Sequence, residues 1–198
     1  PKTEKHKDLE VIAFATMRDW LAWLREHHER PEGLWVKIGK KGRDVSTISY
    51  EQTREGAIMY GWIDGLVNKW DDDYYLQRVT PRRKRSQWSK INRTIAEELI
   101  AKKKMKKAGL AQVEAAKADG RWERAYDSSS TIEVPDDFAA ALDAHAKAKA
   151  AFEALNRTDR FVYLVRLQTT VGAAKRAANI EKFVGMLARG QPIQGAAK

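Results

Sequence analysis

The stretch Thr80 to Arg93 reads TPRRKRSQWSKINR and gathers the residue types best suited to holding an anion. Pro81 stiffens its entry. Arg82, Arg83, Lys84 and Arg85 stand just ahead of Ser86, a residue type that caps helices. A helix start offers unpaired N–H groups and the positive end of a dipole. Guanidinium groups add planar forks that match carboxylate or phosphate. Four cations crowded there repel one another unless something negative sits among them. The expectation is an anion site over Arg82, Arg83, Lys84 and Ser86, helped by Arg78 upstream. Asn92 closes the same segment. Trp88 could stack on a ring or a base, although its place on a helical stripe suits a core better.

Other candidates are weaker. Asp64 lies between Ile63 and Gly65, beside Trp62. A carboxylate among bulky apolar groups can act as an acid or base. In a tight turn it accepts hydrogen bonds instead, and that structural role is favoured. Trp62 and Asp64 join the ligand-binding set on this reading, with Asp64 the weak catalytic candidate. Asp71-Asp72-Asp73 reads as a charged turn, lacks the EF-hand pattern, and is an internal rival for the arginines. His27 and His28 are adjacent, so on a helix they point about 100° apart and do not chelate as an i, i+4 pair would. With no Cys among 198 residues, thiolate metal sites, clusters and thiol nucleophiles are excluded. No nucleotide-binding glycine loop and no G-x-S-x-G occurs. No metal and no cofactor is expected.

The elements that must position these residues follow from pattern. Val11 to Phe14 reads as a strand, and Thr16 caps a helix bearing Met17, Trp20, Leu21 and Leu24. Leu34 to Ile38 is a strand, Ser46 to Ser49 a short partner, and Tyr50 to Tyr60 a helix ended by Gly61. Trp62 to Val67 reads as a strand or tight turn, and Tyr74 to Thr80 as a strand. Ser86 is expected to open a helix whose stripe is Trp88, Ile91, Ile95 and Leu99. A further helix runs from Leu110 to Ala118. From Pro135 the chain is helical, with Ile180, Phe183, Val184 and Leu187 facing a core. The fold class is α+β: a small antiparallel sheet with flanking helices over 1–125, a linker at 126–134, and a compact helical unit over 135–198.

Net charge is +10, and its placement matters more than its size. Pro81 to Lys107 holds eleven Lys or Arg against two Glu, so one stretch carries nearly the whole imbalance. Such a field attracts a small anionic or phosphorylated ligand, with nucleic acid as the alternative partner. The longest mostly apolar uncharged run, Ala57 to Ile63, is far short of the ~18 residues of a membrane helix. A cytoplasmic location is the expectation, with the periplasm the alternative for a chain whose signal has been removed. The oligomeric state is not read from the sequence.

A family resemblance rests on several motifs together. The chain carries Tyr60-Gly61-Trp62-Ile63-Asp64-Gly65, then Thr80-Pro81-Arg82-Arg83-Lys84, Ser86, Trp88-Ser89 and Asn92. Met105, Ala108-Gly109, Asp119-Gly120-Arg121-Trp122 and Ala125-Tyr126-Asp127 follow, then Val134-Pro135-Asp136-Asp137 and Arg176. In these the chain resembles the YdeI/OmpD-associated, bacteriocin-protection family over nearly its whole length. It departs from that pattern at Lys103-Lys104-Met105, at Lys107-Ala108-Gly109 and over Thr169 to Arg176. The resemblance implies a YdeI-like α+β domain, an OmpD-associated-like helical domain, and a link to resistance against bacteriocins or antimicrobial peptides. It supplies no catalytic residues. Three readings follow: a non-catalytic anion-binding protein, a nucleic-acid binder using residues 81–107, and an enzyme with Asp64 as acid or base.

Overall fold

Two compact units make up the computed structural model, which describes residues 4–191 and Ile193. One comprises Pro1–Ser86 with Asn92–Asp119, the other Gln87–Ile91 with Gly120–Lys198.

The first unit opens with a hairpin of β1 (Glu4–His6) and β2 (Leu9–Ile12). Its turn residues, Lys7 and Asp8, have φ of 50° and 63°, the left-handed pair that a two-residue hairpin favours. Thr16 then caps α1 (Met17–His27) by accepting from the Asp19 amide at 3.2 Å. Helix α1 carries the chain across to β3 (Leu34–Gly39), which therefore lies parallel to β2. The expected sheet was antiparallel throughout; this crossover makes it mixed. Strands β4 (Trp62–Lys69) and β5 (Tyr74–Pro81) complete the order β1-β2-β3-β5-β4.

The expected strand at 46–49 is absent. Instead Thr47 Oγ1 accepts from the Gly39 amide at 2.8 Å and Ile48 is buried. Ser49 then forms a capping box with Gln52 to open α2 (Tyr50–Met59). Helices α1 and α2 bury Trp20, Leu24, Ala57 and Ile58. The Trp20 indole donates to the Thr53 carbonyl at 3.1 Å, so this large ring is satisfied in the interior. Strand β4 bulges between Asp64 and Val67, and the buried Gln77 amide donates to the Gly65 carbonyl at 3.0 Å. Helices α3 (Lys90–Ala101) and α4 (Lys107–Ala118) follow; the first two residues of α3 are counted with the second unit.

The second unit holds α5 (Asp136–Asp143), α6 (Ala146–Ala154), α7 (Arg157–Gln168) and α8 (Ala173–Ala188). Phe138, Phe152, Tyr163 and Phe183 form an edge-to-face chain at centroid distances of 5.3, 6.2 and 5.2 Å, the packing that aromatic quadrupoles favour. Leu142, Leu164, Leu167, Ile180, Val184 and Leu187 fill the same core. Arg176 clamps α8 to α5 through Asp137, with Nη2 at 2.8 Å from Oδ1. That guanidinium holds the Asp137 carboxyl below the usual carboxylate range. Among the described residues no helix is long and apolar enough to cross a membrane.

Candidate functional site

Asp64 sits half-buried on β4, where α2 and α3 each send one side chain to it. Tyr50, the first residue of α2, donates its hydroxyl to Asp64 Oδ2 at 2.6 Å. Asn92, in the first turn of α3, approaches Oδ1 at 3.4 Å. Burial, with the hydrogen bond to Asp64 second, pushes the Tyr50 phenol well above its ordinary value. Arg54, one turn along α2, lies 5.0 Å over the Tyr50 ring. Two of the sequence motifs, at 60–65 and 86–92, therefore meet through the Asp64–Asn92 pair. The partner Tyr50 carries no such signal, since nothing in its spacing links it to β4.

The basic segment is arranged differently from expectation. Ser86 does not open a helix. Its Oγ accepts from the Arg83 amide at 2.9 Å, and its own amide donates to the Arg83 carbonyl at 2.9 Å, closing a turn over 83–86. The chain then pairs briefly with the 126 region: Tyr126 N–H donates to Trp88 O at 2.9 Å and Lys90 N–H to Tyr126 O at 2.8 Å. Only after that bridge does α3 start, at Lys90. The anticipated juxtaposition of arginines and helix mouth at Ser86 does not form. The buried face of α3 is Asn92, Ala96 and Leu99, while Ile91 is 43% exposed. Of the expected stripe, Trp88 and Leu99 are buried, while burial at Ile91 and Ile95 shifts by one position to Asn92 and Ala96.

The predicted site residues separate by burial. Trp62 is fully buried and donates its indole N–H to the His28 carbonyl at 2.7 Å. Trp88 is buried in the second unit, edge-on to Trp122 at 4.9 Å. Arg82 is 6% exposed, and its amide donates to the Gly61 carbonyl at 3.0 Å. The Arg78 guanidinium donates to the carbonyls of Leu34 and Val79 at 3.0 and 2.9 Å and to that of Glu32. Burial lowers its pKa. Asp71 holds its own turn by accepting from the Asp73 and Tyr74 amides, and Asp73 pairs with Arg43 at 3.6 Å. Arg83 and Lys84 are the predicted ligand-binding cations that stay exposed.

A second basic stretch, which sequence spacing did not single out, is tied to the same turn as Arg82. The Lys106 amide donates to the Met59 carbonyl at 3.0 Å, two residues from the Gly61 carbonyl that takes the Arg82 amide. The α2–β4 turn is therefore a common anchor for two basic stretches more than twenty residues apart. Helix α4 comes close because Gly109 lacks a side chain: a Cβ there would lie 2.3 Å from the Met59 carbonyl oxygen. Within 81–107, Lys90 pairs with Asp127, Arg93 with Glu97, Lys102 with Glu98 and Lys104 with Glu55. Arg83, Lys84, Lys103, Lys106 and Lys107 hold no ion pair among the described residues. The signal that could have found this cluster is Gly109 itself, a glycine inside a helical run that marks close backbone approach.

Comparison with known families places both units. Residues 12–112, about half the chain, match a family described as Domain of unknown function (DUF8412). Residues 131–190 match the family described as Bacteriocin-protection, YdeI or OmpD-Associated. The chain belongs to the DUF8412 family, and its residues 131–190 carry a YdeI/OmpD-associated domain. No curated protein and no solved structure matches it. The basic cluster lies within the DUF8412 segment, and the aromatic chain Phe138–Phe183 within the YdeI/OmpD-associated one.

Proposed function

We propose that this YdeI/OmpD-associated protein is a non-catalytic anion-binding protein that takes phosphate-bearing polyanions on the α2–β4 turn. The observation that carries the reading is that the Arg82 and Lys106 amides are both held by the α2–β4 turn, which ties the stretch bearing Arg83 and Lys84 and the stretch bearing Lys103, Lys106 and Lys107 to one anchor, with no carboxylate ion-paired to any of the five among the described residues. A cluster of that kind raises the local concentration of anions. The large apolar side chains left exposed, Leu66, Val67, Ile91, Leu110, Val134 and Val171, include no aromatic ring. Base stacking, which single-strand binders use, is then not favoured by the exposed apolar side chains among the described residues, and the phosphates are the recognised feature. Protection against bacteriocins, which the family description names, would be indirect, since a cationic peptide is repelled by this surface.

Titration of the full chain with linear inorganic polyphosphate at low salt tests the reading. Saturable binding is expected. Arg83→Ala with Lys84→Ala, or Lys106→Ala with Lys107→Ala, should each weaken it by about tenfold or more, at unchanged melting temperature. Absence of saturable binding, or undiminished affinity in both double variants, overturns the proposal. A thymidine oligonucleotide of equal phosphate count, run alongside, decides between partners. Binding more than about tenfold tighter than polyphosphate would hand the site to nucleic acid.

A further inference from the structure

On the second unit, α5 and α8 leave between them an open groove of about 740 Å³, whose lining includes Ala141 and His145 and, from α8 and its cap, Glu181, Lys182, Gly185 and Arg189. Gly185 lines it. It lies in the last turn of α8, three residues before the helix ends at Ala188. The packing of the unit does not require it. A Cβ built at Gly185 would meet only the guanidinium of Arg189, nearest atom 3.2 Å away. The missing side chain opens the helix outward.

We infer that this groove is a self-association surface in which α8 of one copy packs antiparallel across α8 of another, centred on Gly185. The charge pattern names the occupant. Ala177, Glu181, Gly185 and Arg189 form one i, i+4 row along the helix. Glu181 lies one turn before Gly185 and Arg189 one turn after it, each about 6 Å along the axis. A twofold axis through Gly185 reverses the row, so Glu181 meets the partner's Arg189 and Arg189 meets the partner's Glu181. An isologous contact requires this self-complementarity. Crossing at about 50°, the class in which i±4 rows of both helices align, brings the two rows together. Glu181 holds no ion pair among the described residues, and the Arg189 guanidinium donates to the neighbouring Gln191 side chain at 3.1 Å while lying over Gly185. Both charges are available for exchange. A single helix crossing buries less than the ~1,200 Å² of a standard interface, so the dimer belongs to the weak, concentration-dependent class.

Sedimentation velocity of the full chain over about a hundredfold range of concentration reads the equilibrium. A monomer–dimer transition is expected. Gly185→Leu should abolish it without lowering the melting temperature, because the new Cβ meets only the tip of Arg189. Glu181→Arg and Arg189→Glu should each weaken the dimer by about tenfold or more, and the two together should restore it to within about threefold of the parent. A chain that stays monomeric throughout, a dimer indifferent to Gly185→Leu, or a double variant no tighter than the single ones would each overturn the proposal.

Discussion

Lys103 sits at φ 54°, in the left-handed region, directly after α3. Its amide donates to Ile100 O at 2.9 Å and the Lys104 amide to Leu99 O at 2.8 Å, the paired closure of a Schellman motif. Glycine is the favoured residue at that position, because a Cβ in left-handed backbone costs about 1–2 kcal/mol. A lysine there sacrifices stability and contributes a cation beside Lys106 and Lys107. Lys103→Gly is therefore expected to raise stability by about 1 kcal/mol in a urea melt and to weaken polyphosphate binding. A variant that is more stable with unaltered affinity would detach Lys103 from the binding surface. Asp64 illustrates the other kind of polar residue. Its carboxylate takes the Tyr50 hydroxyl and the Asn92 amide, so it ties β4 to two helices.

Among the elements, α4 is the one whose placement decides the surface. Its approach to the end of α2 is backbone against backbone at Gly109, with the Met59 and Ile58 carbonyls 2.3 and 2.8 Å from where a Cβ would stand. Gly109→Ala must push α4 away. The expected cost is about 1–3 kcal/mol, the range for forcing volume into a packed site, read as a lowered urea midpoint. Loss of polyanion affinity should accompany it, since Lys106 and Lys107 move with the helix. Unchanged stability would mean that α4 is not held there. The strands and helices with strong periodicity were legible in the sequence: the helix capped by Thr16, the strand from Leu34, the span of α2 and the core face of α8. The start of α3 was not. Ser86 has the right chemistry for a cap, but it closes a turn with Arg83, and the bridge between Ser89 and Tyr126 delays the helix by three residues. That pairing joins residues thirty-seven apart, and local pattern carries no trace of it. The parallel β2–β3 pair and the meeting of Tyr50 with Asp64 were hidden for the same reason. The segment was chemically readable as basic, while its exposed members were decided by long-range contacts.

For the molecule as a whole, the net charge of +10 raises the question whether anion binding needs a site at all. A uniformly basic protein attracts polyanions without one. The distinction lies in how affinity responds to salt when particular charges are removed. If Arg83, Lys84, Lys103, Lys106 and Lys107 each displace counterions from a flexible phosphate chain, the slope of log K against log salt should be about −3.5, from roughly 0.7 per contact for single strands. Removing Arg83 and Lys84 should flatten the slope by about 1.4. Lys147 and Lys175 are equally exposed, on α6 and α8 of the second unit. Replacing both with Ala lowers the net charge by the same amount but touches no charge of the cluster. The slope should then stay near its parent value, with only a small uniform loss of affinity. Titrations of the three proteins at several salt concentrations make the comparison. Equal flattening in both double variants would mean that total charge governs binding, and the convergence on the α2–β4 turn would have no functional consequence.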